Sequence, residues 1–325
     1  MGVKGLHSFV ERKLSGTEYR VNLADLPRLT GSDIVVVDGM ALIRRLYPFA
    51  LDWVGGGQFQ ELYVSVGNFV RAWRGAGLRL VVFFDGGVDE AKLSEWLTRR
   101  KRDLSMCEKV AAGVARGEAP RTSSSCWVPP LYISKWVGAA FRAHGCQVIY
   151  TAGEADPEIA AHCVRQRCAA VLGKDSDFFV LPVPLYLVID SLRERDPTPS
   201  VTAFPRAAVL AVFGLSEPLL PLAASLAGND FVETASLGCF HSGLLPGRHA
   251  SGGPLIEAVC AAVRFFFIYI SCHTTHTTTA ERRAEKQCRY RGASNAQMTR
   301  RSIEGEHSRP PPVSRFGHKC SSHSH

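Results

Sequence analysis

Four short runs of aliphatic and β-branched residues stop at acids: Ile34-Val35-Val36-Val37 at Asp38, Leu78 to Phe84 at Asp85, Gln147-Val148-Ile149-Tyr150 just before Glu154 and Asp156, and Ala169-Ala170-Val171-Leu172 before Asp175 and Asp177. A fifth run is Leu185-Tyr186-Leu187-Val188-Ile189. Runs apolar on both sides need covering on both faces, which is the condition of parallel strands between helical layers. Phe59, Leu62, Tyr63, Val66, Phe69, Val70 and Trp73 recur at helical spacing between the first two runs and predict a crossover helix. The expected fold class is therefore α/β, a mainly parallel twisted sheet flanked by helices. A hydrophobic content of 46% with 21% charged residues suits such a core.

In an open parallel sheet the C-terminal strand ends share one edge and form the ligand crevice, so Asp38, Asp85, Glu154, Asp156, Asp175 and Asp177 are expected to converge there. Carboxylates a few ångströms apart raise one another's pKa and cannot all stay ionised without a counter-ion. Two Mg²⁺ ions answer that need, since they take oxygen ligands and together serve both oxygens of a phosphodiester displacement. The cluster contains no His, which favours Mg²⁺, with Mn²⁺ as a substitute, over zinc. Any one of these acids reads equally well as a helix N-cap. Six at strand ends, with the pairs Glu154-x-Asp156 and Asp175-x-Asp177, exceed what capping requires.

From Asp89 to about Val114 the sequence predicts a long polar helix carrying Lys92, Arg99, Arg100, Lys101 and Arg102, followed by a Gly/Pro/Ser-rich link from Arg116 to Pro130. Further helices are expected over 131–144, 154–167, 205–213 and 218–226. After Leu237 the pattern gives way to Gly, Ser, Thr, His, Arg and Pro, so residues 238–325 are expected to be a disordered basic tail. Within it, Ala258–Ile270 is apolar but short for a membrane span, and no membrane partner is expected. The net charge of +8 belongs largely to that tail: residues 1–238 hold 26 Lys and Arg against 25 Asp and Glu, residues 239–325 hold 12 against 5. With the acidic cluster neutralised by metal, the first part also presents an excess of bases to a polyanion. The ten cysteines form no C-x-x-C pair and no signal segment opens the chain, so reduced thiols and an intracellular, nuclear setting are expected.

Met1 to Leu6, Val37-Asp38-Gly39, Phe84-Asp85-Gly86, Gly153-Glu154-Ala155-Asp156, Lys174-Asp175-Ser176-Asp177 and Gly228-Asn229-Asp230 resemble, in order, the motif series of the flap-endonuclease/XPG nucleases. Gly2 to Glu11, and the stretch from Leu219-Leu220-Pro221-Leu222 to Asp230, are most similar to the asteroid proteins of that superfamily. The resemblance implies a PIN-like nuclease domain over residues 1–237, with a helical arch at about 88–130. It adds Asp230 as a seventh metal-ligating acid. It also implies that Lys92 and Arg99, seven and fourteen residues past Asp85, grip the scissile phosphate from a helix over the metals, and that Gly2 packs close to the site. Seven residues make about two helical turns, so both bases would project from one face. Arg100, Lys101 and Arg102 are read as contacting the nucleic-acid backbone or, equally, as a solvated helix face or a nuclear-import signal.

Two departures from the family stand out. The helix–two-turn–helix used on duplex DNA does not follow Asp230, and Lys174 adjoins Asp175, where a cation could pair with a ligand carboxylate. The expected activity is that of a divalent-metal-dependent, structure-selective endonuclease on single-stranded or overhanging DNA. RNA leaves no contrary signature. The rival expectation is a catalytically silent scaffold or signalling adaptor that keeps the fold.

Overall fold

The computed structural model describes residues 2–270 apart from 15–18, 49, 52–53, 55–56, 89, 119–126, 131, 230, 233 and 247–250. The chain runs α1 (Leu6–Lys13), β1 (Arg20–Asn22), α2 (Leu26–Thr30), β2 (Ile34–Asp38), α3 (Gly39–Leu46), α4 (Phe59–Gly75), β3 (Arg79–Phe84), α5 (Leu93–Ala115), α6 (Ile133–Ala143), β4 (Gln147–Tyr150), α7 (Ala155–Arg165), β5 (Ala170–Gly173), β6 (Leu185–Arg193), β7 (Ser200–Pro205), α8 (Arg206–Phe213), α9 (Leu220–Ala227), α10 (Gly238–Leu244) and α11 (Gly252–Ile270). Short 3-10 turns join several of them.

The strands form one seven-stranded sheet in the order β1-β7-β6-β5-β2-β3-β4. The five expected strands make its parallel centre, with Val35 beside Leu80 on one side and beside Ala170 on the other. Alternate residues go to opposite faces, as the pleat dictates. Val36, Val81, Phe83, Val171 and Val188 enter one core with α1, α7, α8, α9 and α11, while Val35, Val37, Val82, Phe84, Leu172 and Leu187 enter the other with α3, α4 and α6. The crossover helix predicted from Phe59 to Trp73 is α4, and Leu62, Val66, Phe69, Val70 and Trp73 are its buried stripe. β1 and β7 were not expected; they add an antiparallel edge through Tyr186↔Phe204 and Val21↔Val201.

The expectation of a disordered chain from residue 238 onward is corrected for its first third. Residues 238–244 and 252–270 are helical, and Leu255, Ile256, Val259, Cys260 and Val263 are buried in the core that holds Leu6, Phe9 and Phe213. Positions 255, 256, 259, 260 and 263 lie on one helical stripe, and Pro254 is tolerated because it falls in the first turn. Lys13 Nζ to Glu257 Oε1 at 2.8 Å adds an ion pair between α1 and α11. The apolar run thus belongs to a 19-residue helix, long and apolar enough by composition to cross a membrane, whose inner stripe is instead spent on the core. The remainder of the expected tail, 271–325, lies outside the described residues.

By contacts the chain divides into Met1–Phe265 and Phe266–His325, and the second unit is described only for its first five residues, which are helical and exposed. The six cysteines among the described residues are free thiols. Because Ile256 is 3% exposed, Ile256→Ala should lower the unfolding free energy by about 2–5 kcal/mol in a denaturant titration. An unchanged midpoint would mean that α11 is not docked in solution.

Candidate metal centre

The strand order places β2 beside β5, and the chain leaves β2 toward β3 but leaves β5 toward β6, in opposite directions. At such a switch point the strand ends leave a crevice. Asp38 closes β2 and also caps α3: its Oδ1 accepts the Met40 and Ala41 amides at 2.9 and 3.2 Å. Capping does not preclude ligation at this residue, because one oxygen carries both amide bonds and the other keeps its lone pairs. Asp85 follows β3, and its Oδ1 accepts the Ala155 amide at 2.8 Å, which ties that strand end to the start of α7. This closeness needs a glycine next door, since a Cβ on Gly86 would lie 1.8 Å from the Thr151 carbonyl oxygen. Glu154 and Asp156 occupy the N-terminus of α7, and Asp175 and Asp177 the 3-10 turn after β5.

Asp38, Asp156 and Asp175 offer carboxylate oxygens that all lie within 4.8 Å of one another. Burial pushes the Asp38 carboxyl up to about 7, with repulsion from Asp175 and Asp85 adding to it against the two amide bonds. Burial likewise lifts Asp156 to about 8, with Asp38, Asp175 and Asp177 as the repelling neighbours. Asp85 is raised by burial and by Glu154 and Asp175, while Lys92 opposes the rise. An all-oxygen donor set whose members repel one another suits a hard divalent cation. Beneath it lies a residue the sequence did not single out: Tyr186 of β6 is buried, feels Asp175, Asp38 and Asp156, and its hydroxyl has no hydrogen-bond partner among the described residues. Nothing in a strand's apolar alternation distinguishes a tyrosine under a site from one in the core.

Gly2 stands where close approach was expected. A Cβ there would be 1.7 Å from Asp177 Oδ1 and 2.6 Å from Ser176 Oγ. Lys92 lies at the start of α5 with its Nζ 2.6 Å from Glu154 Oε1 and 2.7 Å from Oε2, and 4.5 Å from the Phe231 ring centre. Arg99 Nε contacts Glu95 Oε1 at 3.0 Å on its own helix. Arg100 meets Asp103 at 3.2 Å and lies over Trp96. Lys101 is exposed. The expected interference from Lys174 is not seen, because its ammonium is 2.8 Å from Asp190 of β6. Asp230, the seventh expected acid, lies outside the described residues.

Beside the carboxylates a basin of about 1100 Å³ is lined by Arg44, Arg45, Arg99, Arg100, Arg102 and Lys174, with Asp103 and Asp190 as its acids and Trp127 and Tyr132 on its wall. Arg44 lies 5.1 Å over the Trp127 ring. Tyr132 is exposed and holds φ 57°, a left-handed conformation uncommon for a residue with a side chain.

In metal-free protein the raised carboxyls bind protons that the unfolded chain releases above about pH 4. Their contribution to stability is complete below that pH and is lost as pH rises through about 7 for Asp38 and about 8 for Asp156. Melting in EDTA should therefore fall from pH 5 to pH 8, and the rise produced by Mg²⁺ should be larger at pH 8. A Mg²⁺ effect equal at both pH values would count against ligation by these groups.

No family model matches the chain. Among curated proteins, the constitutive coactivator of peroxisome proliferator-activated receptor gamma from Bos taurus is 31% identical over 239 residues, covering 71% of this chain and 33% of that protein. The protein of the same name from Mus musculus is 29% identical over 249 residues, 74% of this chain and 31% of that protein. The chain thus spans about a third of the length of these relatives. Among solved structures, the catalytic core of Rad2 in complex with DNA substrate superposes with a TM-score of 0.50 at 16% identity, over 79% of this chain and 67% of that one. The shared feature is the fold, a PIN-like nuclease architecture of the class expected. The two curated relatives carry a coactivator's name and not an asteroid protein's, so they do not bear the closer likeness drawn from Gly2 to Glu11.

Proposed function

We propose that the chain is a flap-endonuclease/XPG-type domain of the asteroid kind that hydrolyses phosphodiester bonds in DNA with single-stranded or unpaired ends. The observation that carries the proposal is the convergence of Asp38, Asp156 and Asp175 to within 4.8 Å at the strand-order reversal, with the carboxyls of Asp38 and Asp156 lifted by burial and by neighbouring carboxylates. These three residues, with Asp85, Glu154, Asp177 and Asp230, would hold divalent metal, taken as two Mg²⁺ ions with Mn²⁺ as substitute. Such ions supply Lewis acidity and positive charge to a phosphodiester and its attacking water.

The rest of the work falls to the chain's own side chains. Lys92 and Arg99 would bind the scissile phosphate, where charge develops, and so contribute more in the transition state than in the ground state. Arg44, Arg100, Lys101 and Arg102 would track the neighbouring phosphates, an interaction that weakens with salt. Trp127 and Tyr132 offer rings on which an unpaired base can stack, which favours single strands over duplex.

A second reading, a coactivator-like scaffold, is favoured by the names of the curated relatives, and a nuclear setting is proposed under either reading. Incubation of the chain with single-stranded, overhanging and duplex DNA and with RNA, in Mg²⁺, in Mn²⁺ and in EDTA, separates the two. Cleavage of unpaired DNA in metal and none in EDTA supports the enzyme. Intact polymers in every condition, with the fold confirmed, support the scaffold.

A further inference from the structure

Among the described residues the carboxylates divide into two groups. Three of them offer oxygens within 4.8 Å of one another, and Glu154 is not one of the three. Both Glu154 oxygens are instead engaged by one ammonium, that of Lys92, at 2.6 and 2.7 Å. Lys92 also acts on Asp85, whose own carboxylate is repelled by Glu154. The outer pair of acids, Asp85 and Glu154, thus shares a positive charge supplied by the chain itself. The Phe231 ring, distant in sequence, lies 4.5 Å from the same ammonium. An aromatic face near a cation adds to its retention.

We infer that Lys92 is a built-in counter-ion at Glu154 that competes with a second divalent cation, so that the centre takes one ion readily and its second only when Lys92 turns away. The inference rests on the metal-centre reading and specifies its occupancy. It follows from elementary electrostatics: a lysine ammonium and a divalent ion cannot both neutralise the same carboxylate pair at contact distance without strong mutual repulsion. Lys92 ends the 3-10 turn Glu90–Lys92 where it meets α5, and a turn of its side chain away from Glu154 is the movement the inference requires. A phosphate arriving in the basin would draw it off, so that substrate and second ion enter together. Displacing a charge-assisted contact of this kind should weaken the second ion by about 10- to 100-fold.

The test is Mn²⁺ binding to the full chain, followed by electron paramagnetic resonance of the free ion, with no nucleic acid present. Wild type should show one tight ion and a second at least tenfold weaker. Lys92→Met should tighten the second by about 10- to 100-fold while leaving the first within about threefold. Phe231→Ala, at an exposed ring that does not endanger folding, should tighten the second by about two- to fivefold. Glu154→Gln in the Lys92→Met background should remove the gain. An unchanged or weaker second ion in Lys92→Met overturns the inference, and if that variant does not fold, the same result in Phe231→Ala overturns it. A first ion that is present and lost in Asp156→Asn, with no gain from Lys92→Met, defeats the counter-ion while the metal centre stands. No Mn²⁺ bound by any of these proteins defeats both.

Discussion

Asp156→Asn should remove the proposed metal-dependent cleavage, lowering the single-turnover rate by at least about a thousandfold, on the order of 4 kcal/mol or more, and should leave the metal-free protein as stable as wild type or more so. The two halves of that result have one cause. Asp156 is half-buried beside Asp38, Asp175 and Asp177, and its carboxyl is lifted to about 8 because burial and those three carboxylates oppose its ionisation. An amide of the same shape carries no charge to oppose, so the fold gains what the site loses, as at sites whose function stores unfavourable electrostatics. Rates measured in Mg²⁺ and thermal melts measured in EDTA test the halves separately. Full activity in Asp156→Asn would show that the acids at the strand ends are not the site. Lost activity with an equally large loss of stability would make Asp156 a structural residue.

Gly2→Ala is expected to cost about a hundredfold in rate with little change in stability, and to do so through Asp177. The added carbon would stand 1.7 Å from Asp177 Oδ1, inside any allowed contact, so the carboxylate must move by more than an ångström. A shift of about 1 Å in reacting geometry is enough for a loss of that size. A double-mutant cycle checks the route: if Gly2 acts through Asp177, Gly2→Ala on top of Asp177→Asn should lower the rate little further than Asp177→Asn alone. Full multiplication of the two losses would place the effect of Gly2 elsewhere.

Much of this architecture was legible before any coordinates, for reasons specific to each part. β2, β3, β5 and the first half of β6 are covered on both faces and β4 is half-buried at the edge, so they stand out as apolar runs, and the acids that follow β2, β3, β4 and β5 mark the crevice by position alone. β7 was missed because Ser200-Val201-Thr202-Ala203-Phe204-Pro205 mixes polar residues into an antiparallel edge and ends in proline, and β1 because three residues carry no period. α11 was mistaken for tail because Gly252-Gly253-Pro254 reads as loop and because its inner stripe continues into the exposed run 265–270. The partners of Lys174 and Lys92 could not be read at all. Spacing says which residues share an element, whereas the choice of Asp190 over Asp175, or of Glu154 over a phosphate, depends on side-chain direction across elements far apart in the chain.

The docking of α1 against α11 also sets a timetable. Leu6 and Phe9 share one core with Leu255, Ile256 and Val259, and Lys13 reaches Glu257. On the ribosome α1 therefore has its apolar face uncovered until a partner some 240 residues later has emerged, a wait on the order of 10–50 s at ordinary elongation rates. During that interval the segment beginning at Gly2, which must also settle against the Ser176–Asp177 turn, is a nascent amphipathic helix without its seat. Holding by a chaperone, or a pause in translation beyond residue 270, would thus govern how much of the chain reaches the state in which its acids can take a metal.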